Sequence, residues 1–359
     1  MRNRPLFGID WYILVPVVIL SIISLTAISG VGTVFFRNQL IYLFVSLVVF
    51  FILSHVDYKM LRGLIKPLYA ISIVLLTVVL IIGLETRGAV RWIDLFGVRI
   101  QFSEILKPFL TICLAGFLVE GSQRSLKHFL LSGLLLLPIA ILIAFQPDLG
   151  NAIIFVIVLL LVLLTYGFPL LWFGILLLPV SLFSPFLWNI LHTYQRQRIL
   201  SFLHPTSDPL GTTYNVIQAT IAVGSGMVFG RGFSESTQSN LKFLPERQTD
   251  FIFATISEGF GFLGAVVVIS AFCFLLYRLY CLFKNTDDSF GRIYLLGAFF
   301  FFFVQFSVNV GMNVGLVPVV GVTLPFVSYG GSSLLASFIL LGVASSIGVK
   351  SKVRVLEIR

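Results

Sequence analysis

Roughly ten runs of apolar residues, each near the 20 or so that carry a helix across a bilayer, take up most of this chain of 359 residues. They run approximately over Trp11–Gly30, Gln39–Ser54, Pro67–Leu84, Ser103–Glu120, Phe129–Phe145, Leu149–Tyr166, Leu170–Leu191, Phe251–Phe283, Ile293–Met312 and Ser332–Val349. Hydrocarbon offers no water to backbone amides, so such a chain must close its hydrogen bonds within helices. The expected fold class is all-α: a polytopic membrane helix bundle of about ten transmembrane helices in one integral domain spanning 1–359. With 58% hydrophobic and 11% charged residues, too little charge remains to solvate a water-facing surface of this length. The run Phe251–Phe283 exceeds one crossing and is expected to tilt or project beyond the membrane.

Charge sets the orientation. Arg2 and Arg4 precede the first run, Lys59, Arg62 and Lys66 follow the second, and Arg124 and Lys127 follow the fourth. Arg278, Lys284 and Arg292 flank the turn between the eighth and ninth, and Lys350, Lys352, Arg354 and Arg359 form the tail. Ten crossings put all of these on one side and leave Arg37, Arg87, Arg91 and Arg99 in short loops on the other. The positive-inside rule then makes both termini cytoplasmic. The net charge of +9 reports topology and anionic lipid contact, not nucleic acid, for which no basic-aromatic motif is present. The first apolar run has no small-residue cleavage site, so it is expected to remain as a helix. Cys113, Cys273 and Cys281 are separated and odd in number, which argues against a disulfide framework.

This orientation places Glu85–Phe102 and His192–Asp250 outside. The second, between helices 7 and 8, is far longer than an ordinary connection, and loops of that length are usually functional or disordered. Within it Thr213–Val223 reads as an amphipathic helix, and Gly224-Ser225-Gly226 and Gly230-Arg231-Gly232 read as turns. The expectation is a short re-entrant or interfacial helix with loops folded over the membrane surface. Gly315–Ser333, with Pro318, Pro325 and several glycines, interrupts helix near the other end.

Chemistry has few places to live in such a chain. The leading candidate is Leu244-Pro245-Glu246-Arg247-Gln248-Thr249-Asp250-Phe251, which sets Glu246, Arg247, Thr249 and Asp250 directly before a long apolar helix. Thr249 or Asp250 could simply cap that helix, and a capping aspartate is compatible with a catalytic one. Glu104 and Lys107 lie at i and i+3 and share a helix face with Gln101. They are either a salt bridge within the bundle or part of a polar cavity where Lys107 meets an anionic headgroup, because charge inside a membrane is costly. Asp148, in Gln146-Pro147-Asp148-Leu149-Gly150, is either a turn aspartate or a further wall of that cavity. Arg91, Arg196 and Arg198 are outer cations suited to lipid phosphate or to bidentate recognition of a substrate phosphate. Trp92 is either an interfacial anchor or a sugar platform. No paired histidine spacing, Walker motif, dinucleotide fingerprint or Gly-x-Ser-x-Gly elbow appears, so no nucleotide is expected.

Five segments carry a family resemblance. They are Gly88-Ala89-Val90-Arg91-Trp92-Ile93; Gln101-Phe102-Ser103-Glu104-Ile105-Leu106-Lys107; the Gln146–Gly150 segment; Thr237-Gln238-Ser239-Asn240 with Leu244–Phe253; and the run from Asn309-Val310-Gly311-Met312 to Leu324-Pro325-Phe326-Val327-Ser328-Tyr329-Gly330-Gly331-Ser332-Ser333. Together and in order they resemble the SEDS family (shape, elongation, division and sporulation). Pro245-Glu246-Arg247 and the short N-terminus favour its elongation branch over its division branch. The resemblance implies a peptidoglycan glycosyltransferase that polymerises lipid II outside the cytoplasmic membrane of a bacterium. It makes Asp250 the essential carboxylate and places Glu104, Lys107, Asp148 and Trp92 at the substrate, with Ser328 and Tyr329 in a matching segment. It also implies a divalent cation (Mg or Mn), a class B penicillin-binding protein as transpeptidase partner, and elongation-machinery membrane proteins. Gln248 stands where the family often has His, Phe102 where Pro is common, and Glu258-Gly259 where two acids are common.

The chemistry expected from these residues is attack by an acceptor sugar hydroxyl on an anomeric carbon bearing a lipid pyrophosphate. Asp250 acts as general base or holds a divalent cation. Arg196, Arg198 and Lys107 offset charge on the undecaprenyl pyrophosphate that departs. A flippase for lipid-linked oligosaccharide is the competing class, since a polar intramembrane cavity also suits a transport path. A non-catalytic scaffold for a penicillin-binding protein is the third.

Overall fold

The computed structural model describes residues 9–86, 89–95, 98–121, 124–191, 193–204, 213–235, 238 and 243–357. Arg2, Arg4, Arg87, Arg359, Thr237, Ser239 and Asn240 lie outside them, as do the side chains of Lys352 and Arg354. In chain order come α1 (Trp11–Val31), α2 (Thr33–His55), a 3-10 turn (Tyr58–Leu64), α3 (Ile65–Ile82), and the short strands β1 (Leu84–Thr86), β2 (Ala89–Leu95) and β3 (Val98–Gln101). There follow α4 (Phe102–Glu120), α5 (Leu126–Phe145), α6 (Leu149–Tyr166), α7 (Leu170–Leu182), α8 (Ser184–Ile190), α9 (Thr193–Leu203), α10 (Tyr214–Ser225) and α11 (Gly232–Glu235). The chain closes with α12 (Ile252–Lys284), α13 (Ser289–Asn313) and α14 (Gly331–Glu357).

Nine helical stretches among the described residues are long and apolar enough to cross a membrane. The tenth crossing is broken. Gly167, at the end of α6, lies against Arg124, while Tyr194 at the start of α9 hydrogen-bonds the Pro147 carbonyl at the opposite end of α6 (2.9 Å). The segment between them therefore traverses the bundle, as α7 and α8 in series. Pro179 and Pro185 each remove a backbone donor, and the helix parts between them at Phe183. The crossing of α14 is 83% buried against 17% for those of α2 and α3, so α14 is central and the other two face lipid.

Polar contacts distinguish the two ends of the bundle. At one end the Asp10 amide donates to Ser345 Oγ (3.1 Å), Arg278 pairs with Asp10, Arg62 with Asp288 (2.5 Å) and Lys350 with Asp57 (3.2 Å). The start of α1 and the later part of α14 thus lie together. Asp250 lies at the other end, where Arg247 reaches the Val31 carbonyl that closes α1 (3.4 Å). That end carries an element the apolar pattern did not suggest: β1, β2 and β3 form an antiparallel sheet within the loop expected over Glu85–Phe102, with Trp92 opposite Gln101.

Helix α12 is bent rather than continuous. Gly261 sits at φ 69°, ψ −161°, a conformation that side chains resist. The amides freed by the break are taken from outside the helix, Phe262 N by the Met227 carbonyl (2.8 Å) and Leu263 N by that of Val228 (3.2 Å). A backbone atom of Ser257 lies 1.9 Å from where a Cβ on Gly226 would sit, so the turn after α10 fits only as glycine. This joint fixes α10 to the helix that follows Asp250.

Candidate functional site

The polar stretch before α12 forms a set of tight turns. Glu246 holds φ 50°, and its carbonyl accepts from Thr249 N (3.1 Å) and Phe251 N (3.3 Å). Its carboxylate accepts from the Thr249 hydroxyl (3.1 Å). Leu244 and Phe251, both buried, anchor the two ends of the segment in a small apolar cluster with Ala219, Ala222 and Ala254. The capping role considered for Thr249 or Asp250 is not what the structure shows. The cap position belongs to Phe251 with no side-chain cap, and the orphan amide of Ala254 is taken by Asn313 Oδ1 (3.0 Å).

Two asparagines hold the Asp250 backbone. Asn309 and Asn313, one turn apart on α13 and fully buried, both donate to the Asp250 carbonyl, at 3.1 and 3.0 Å. Asn309 also donates to the Val322 carbonyl (2.7 Å), which ties the clamp to the loop before α14. From the other side, Ser328 donates its hydroxyl to the Thr249 carbonyl (2.6 Å), and the Tyr329 amide donates to that of Gln248 (2.8 Å). Ser328 and Tyr329 thus support the turn that carries Asp250, through the Thr249 and Gln248 carbonyls.

The Asp250 carboxylate faces a cation. A Cβ built on Gly321 (φ 72°) would come within 3.5 Å of Asp250 Oδ2 and 3.8 Å of Arg198 Nη1, so both groups border the space that this glycine leaves open. Burial pulls the Arg198 pKa below its ordinary value, Asp250 is the strongest charge opposing that fall, Arg91 adds to it and Asp148 opposes it. Guanidinium remains charged throughout. Arg198 also stacks over the Tyr194 ring, 5.7 Å from its centroid.

Asp148 forms the second acidic point. One carboxylate oxygen accepts from Gln101 Nε2 (2.8 Å), Ser103 Oγ (2.9 Å) and Asn151 Nδ2 (3.0 Å). The other oxygen, buried and without a hydrogen-bond partner among the described residues, lies 3.6 Å from Arg91 Nη1 on β2. Gln101 is oriented in turn, its amide donating to Ser332 Oγ at the start of α14 (2.9 Å). The helix starts of α4, α6 and α14 and the sheet therefore converge on one carboxylate.

The structure brings together Asp250, Arg198, Asp148 and Arg91. Trp92, half-buried on β2, is the next residue along the strand from Arg91. Glu104 and Lys107 form an ion pair at 2.7 Å with side chains 4% and 1% exposed, Glu104 directly after Ser103 in the first turn of α4 and Lys107 three residues further on. The two charges face each other within the bundle, and Lys107 Nζ has no further hydrogen-bond partner among the described residues. Arg196 turns away to the Asn189 carbonyl (2.6 Å), since two residues of helix separate it from the face of Arg198. Arg247 also points elsewhere, towards α1 and the fully buried Glu258, whose charge opposes the fall that burial imposes on the arginine's pKa. The sequence reading missed Asn309 and Asn313 as site residues, although two amides at i and i+4 in an apolar helix are a signal in themselves. It also passed over Gly321, Ser103 and Asn151. No cluster of three metal-ligating side chains occurs among the described residues.

The model of the cell cycle protein family FtsW/RodA/SpoVE matches residues 5–353. The peptidoglycan glycosyltransferase MrdB of Escherichia coli (strain K12) is 37% identical over 342 residues, covering 95% of this chain and 92% of its own length. The stage V sporulation protein E of Bacillus subtilis (strain 168) is 34% identical over 325 residues, covering 89% of this chain and 88% of its own. Among solved structures, a chain described under "structural coordination of polymerization and crosslinking by a peptidoglycan synthase complex" superposes with a TM-score of 0.83 at 30% identity, covering 96% of this chain and 98% of that one. The rod shape determining protein RodA of Thermus thermophilus gives a TM-score of 0.72 at 29% identity, covering 95% and 96%.

Proposed function

This chain belongs to the FtsW/RodA/SpoVE family, and from that premise we propose that it polymerises lipid II into glycan strands, as a RodA-like peptidoglycan glycosyltransferase serving cell elongation and rod shape. The observation that carries the reading is Asp250, whose backbone carbonyl is held by two buried asparagines and whose carboxylate borders the same space as Arg198, at the end of the bundle away from the chain's described ends.

In this reaction an acceptor sugar hydroxyl attacks the anomeric carbon of the donor. The new glycosidic C–O bond forms as the bond to the lipid pyrophosphate breaks, with one inversion at that carbon. Asp250 takes the hydroxyl proton as general base. Arg198 offsets the charge gained by the departing undecaprenyl pyrophosphate, an interaction strengthened where water is partly excluded. Asp148 and Arg91, fixed by the Gln101–Ser103–Asn151 set, orient the sugars rather than exchange protons. The pyrophosphate bond supplies the free energy, so no nucleotide takes part.

A divalent cation fits this donor set in one way. A magnesium or manganese ion typically takes one or two protein carboxylates and completes its shell with substrate phosphate and water. Asp250 would provide that carboxylate in the alternative in which it holds the ion instead of taking the proton itself, and the ion would then supply the charge that activates the acceptor hydroxyl.

The basic residues at the Asp10–Lys350 end support, by the positive-inside rule, a reading with both termini cytoplasmic and Asp250 outside the bacterial cytoplasmic membrane. A class B penicillin-binding protein is the partner that would crosslink the product, alongside elongation-machinery membrane proteins; nucleic acid has no part. Purified protein supplied with lipid II, a divalent cation and that partner is expected to yield glycan polymer. Movement of lipid II across vesicles without polymer would overturn the enzyme reading in favour of a flippase.

A further inference from the structure

A cavity of about 340 Å³ opens beside Arg198, within the roughly 300–1,000 Å³ typical of small-molecule sites. One wall is α10, which presents Thr213, Val216, Ile217, Thr220 and Ile221 at the i, i+3, i+4, i+7, i+8 spacing of a single helix face. The second wall is α9, where Ser201 and Phe202 follow Arg198 at i+3 and i+4. Pro318 and Val319 close the third side. The lining is mostly apolar, and its one charged group is the guanidinium that also borders Asp250.

The lining and its surroundings indicate what enters: Arg198 offers a cation at one end and the rest of the walls are mostly apolar. The lining residues Phe202 and Ile221 are 37 and 44% exposed, and Leu203 and Leu316, next to lining residues in the chain, are 61 and 73% exposed. Such a rim belongs in lipid rather than water. An occupant must therefore be an amphiphile that arrives from the bilayer with an anionic head for Arg198 and a hydrocarbon chain for the α9–α10 walls.

We propose that this cavity is a binding site for the first isoprene units of a polyprenyl pyrophosphate, with its phosphates at Arg198. The assignment rests on the glycosyltransferase reading, and it makes the interfacial helix α10 a lipid-reading element. The glycine joint between the α10 turn and α12 then holds the lipid wall and the catalytic turn in fixed relation.

The test uses full-length protein and a photoreactive polyprenyl pyrophosphate labelled in its first isoprene units. Asp250→Asn protein is included because it is expected to bind without turning over, which separates binding from catalysis. Crosslinks are expected on α10 and on the Pro318–Val319 segment in both proteins, with competition by unlabelled undecaprenyl pyrophosphate. Crosslinking elsewhere only, or equal competition by a phospholipid, would overturn the site whatever the polymerisation assay shows. In wild type, kcat/KM is expected to fall when the donor chain is cut from full length to about two isoprene units. Ile217→Trp, which fills the cavity, should lower kcat/KM for the full-length donor about tenfold, the worth of roughly two buried methylenes, and change the short-chain donor less than twofold. Equal losses on both donors, or none on either, would contradict the proposal.

Discussion

Replacing Asn313 by leucine isolates what the asparagine clamp contributes. Leucine keeps the branching at Cγ but is larger, so the substitution removes polar contacts and adds some overpacking rather than opening a cavity. Four hydrogen bonds are lost: the donations to the Asp250 and Asn309 carbonyls, at 3.0 and 2.8 Å, the longer donation to Asn309 Oδ1 at 3.4 Å, and the acceptance from Ala254 N at 3.0 Å. The carbonyls are not orphaned equally with the amide. Asp250 keeps Asn309 as a donor, whereas Ala254 N, in the first turn of α12 and fully buried, has no intrahelical acceptor. One stranded amide costs about 1–3 kcal/mol and the lost net bonds add roughly 1 kcal/mol, so destabilisation of about 2–4 kcal/mol is expected. The effect on catalysis is separate. A displacement of about 1 Å at a reacting group costs on the order of 10²-fold, and Asn313 is half of what fixes the Asp250 carbonyl. Lipid II polymerisation by folded, monodisperse protein should therefore show kcat reduced 10- to 100-fold with KM within about twofold, because no substrate contact is touched. Retention of wild-type kcat by Asn313→Leu would refute the clamp as a positioning device, and a rise in KM alone would show that the asparagine serves binding instead.

Other outcomes follow from the same geometry. Gly321→Val would push a branched side chain towards Asp250 and Arg198 at φ 72°, costing about 1–3 kcal/mol in backbone strain; activity should fall by more than the shift in thermal midpoint explains, and proportionate losses would argue against the shared space. Asp148→Leu strands three buried donors and should destabilise by about 3–5 kcal/mol, whereas Asp148→Asn should fold and lose activity through the Arg91 contact; an active Asp148→Asn enzyme would remove Asp148 from the site. Glu104→Gln or Lys107→Met alone leaves an unpaired charge in the bundle, costing about 3–5 kcal/mol, and the double variant should recover most of the stability; failure to recover would show that each group has a duty beyond the pair.

Much of the fold was legible because helix length and apolar content are strict conditions in a bilayer. Observed helices begin and end within a few residues of the apolar runs for α1, α4, α5 and α6, and α10 sits where amphipathic spacing placed it. The break in the seventh run was readable only in Pro179 and Pro185, whose effect depends on how the neighbouring helices receive it. The β1–β3 sheet was hidden because its strands are short and Val90–Leu95 lacks a clean alternation, although a glycine between that run and Val98–Gln101 is a hairpin signal. At the site, Asp250 and Asp148 stood out as acids beside apolar helices. Arg196 and Arg198 were indistinguishable as exposed cations until α9 put them on different faces. Asn309 and Asn313 act through a backbone carbonyl far away in sequence, a role no local pattern encodes.

The most direct test of the account compares wild-type protein with Asp250→Asn in lipid II polymerisation, while binding of the lipid-linked substrate is followed in the same preparations. The substitution keeps size and backbone contacts, since the asparagines grip the carbonyl and not the carboxylate, and removes only the proton acceptor and its charge. The account predicts normal folding, retained binding and no glycan polymer from Asp250→Asn. Polymer formed by that variant at a rate within a few fold of wild type would contradict it.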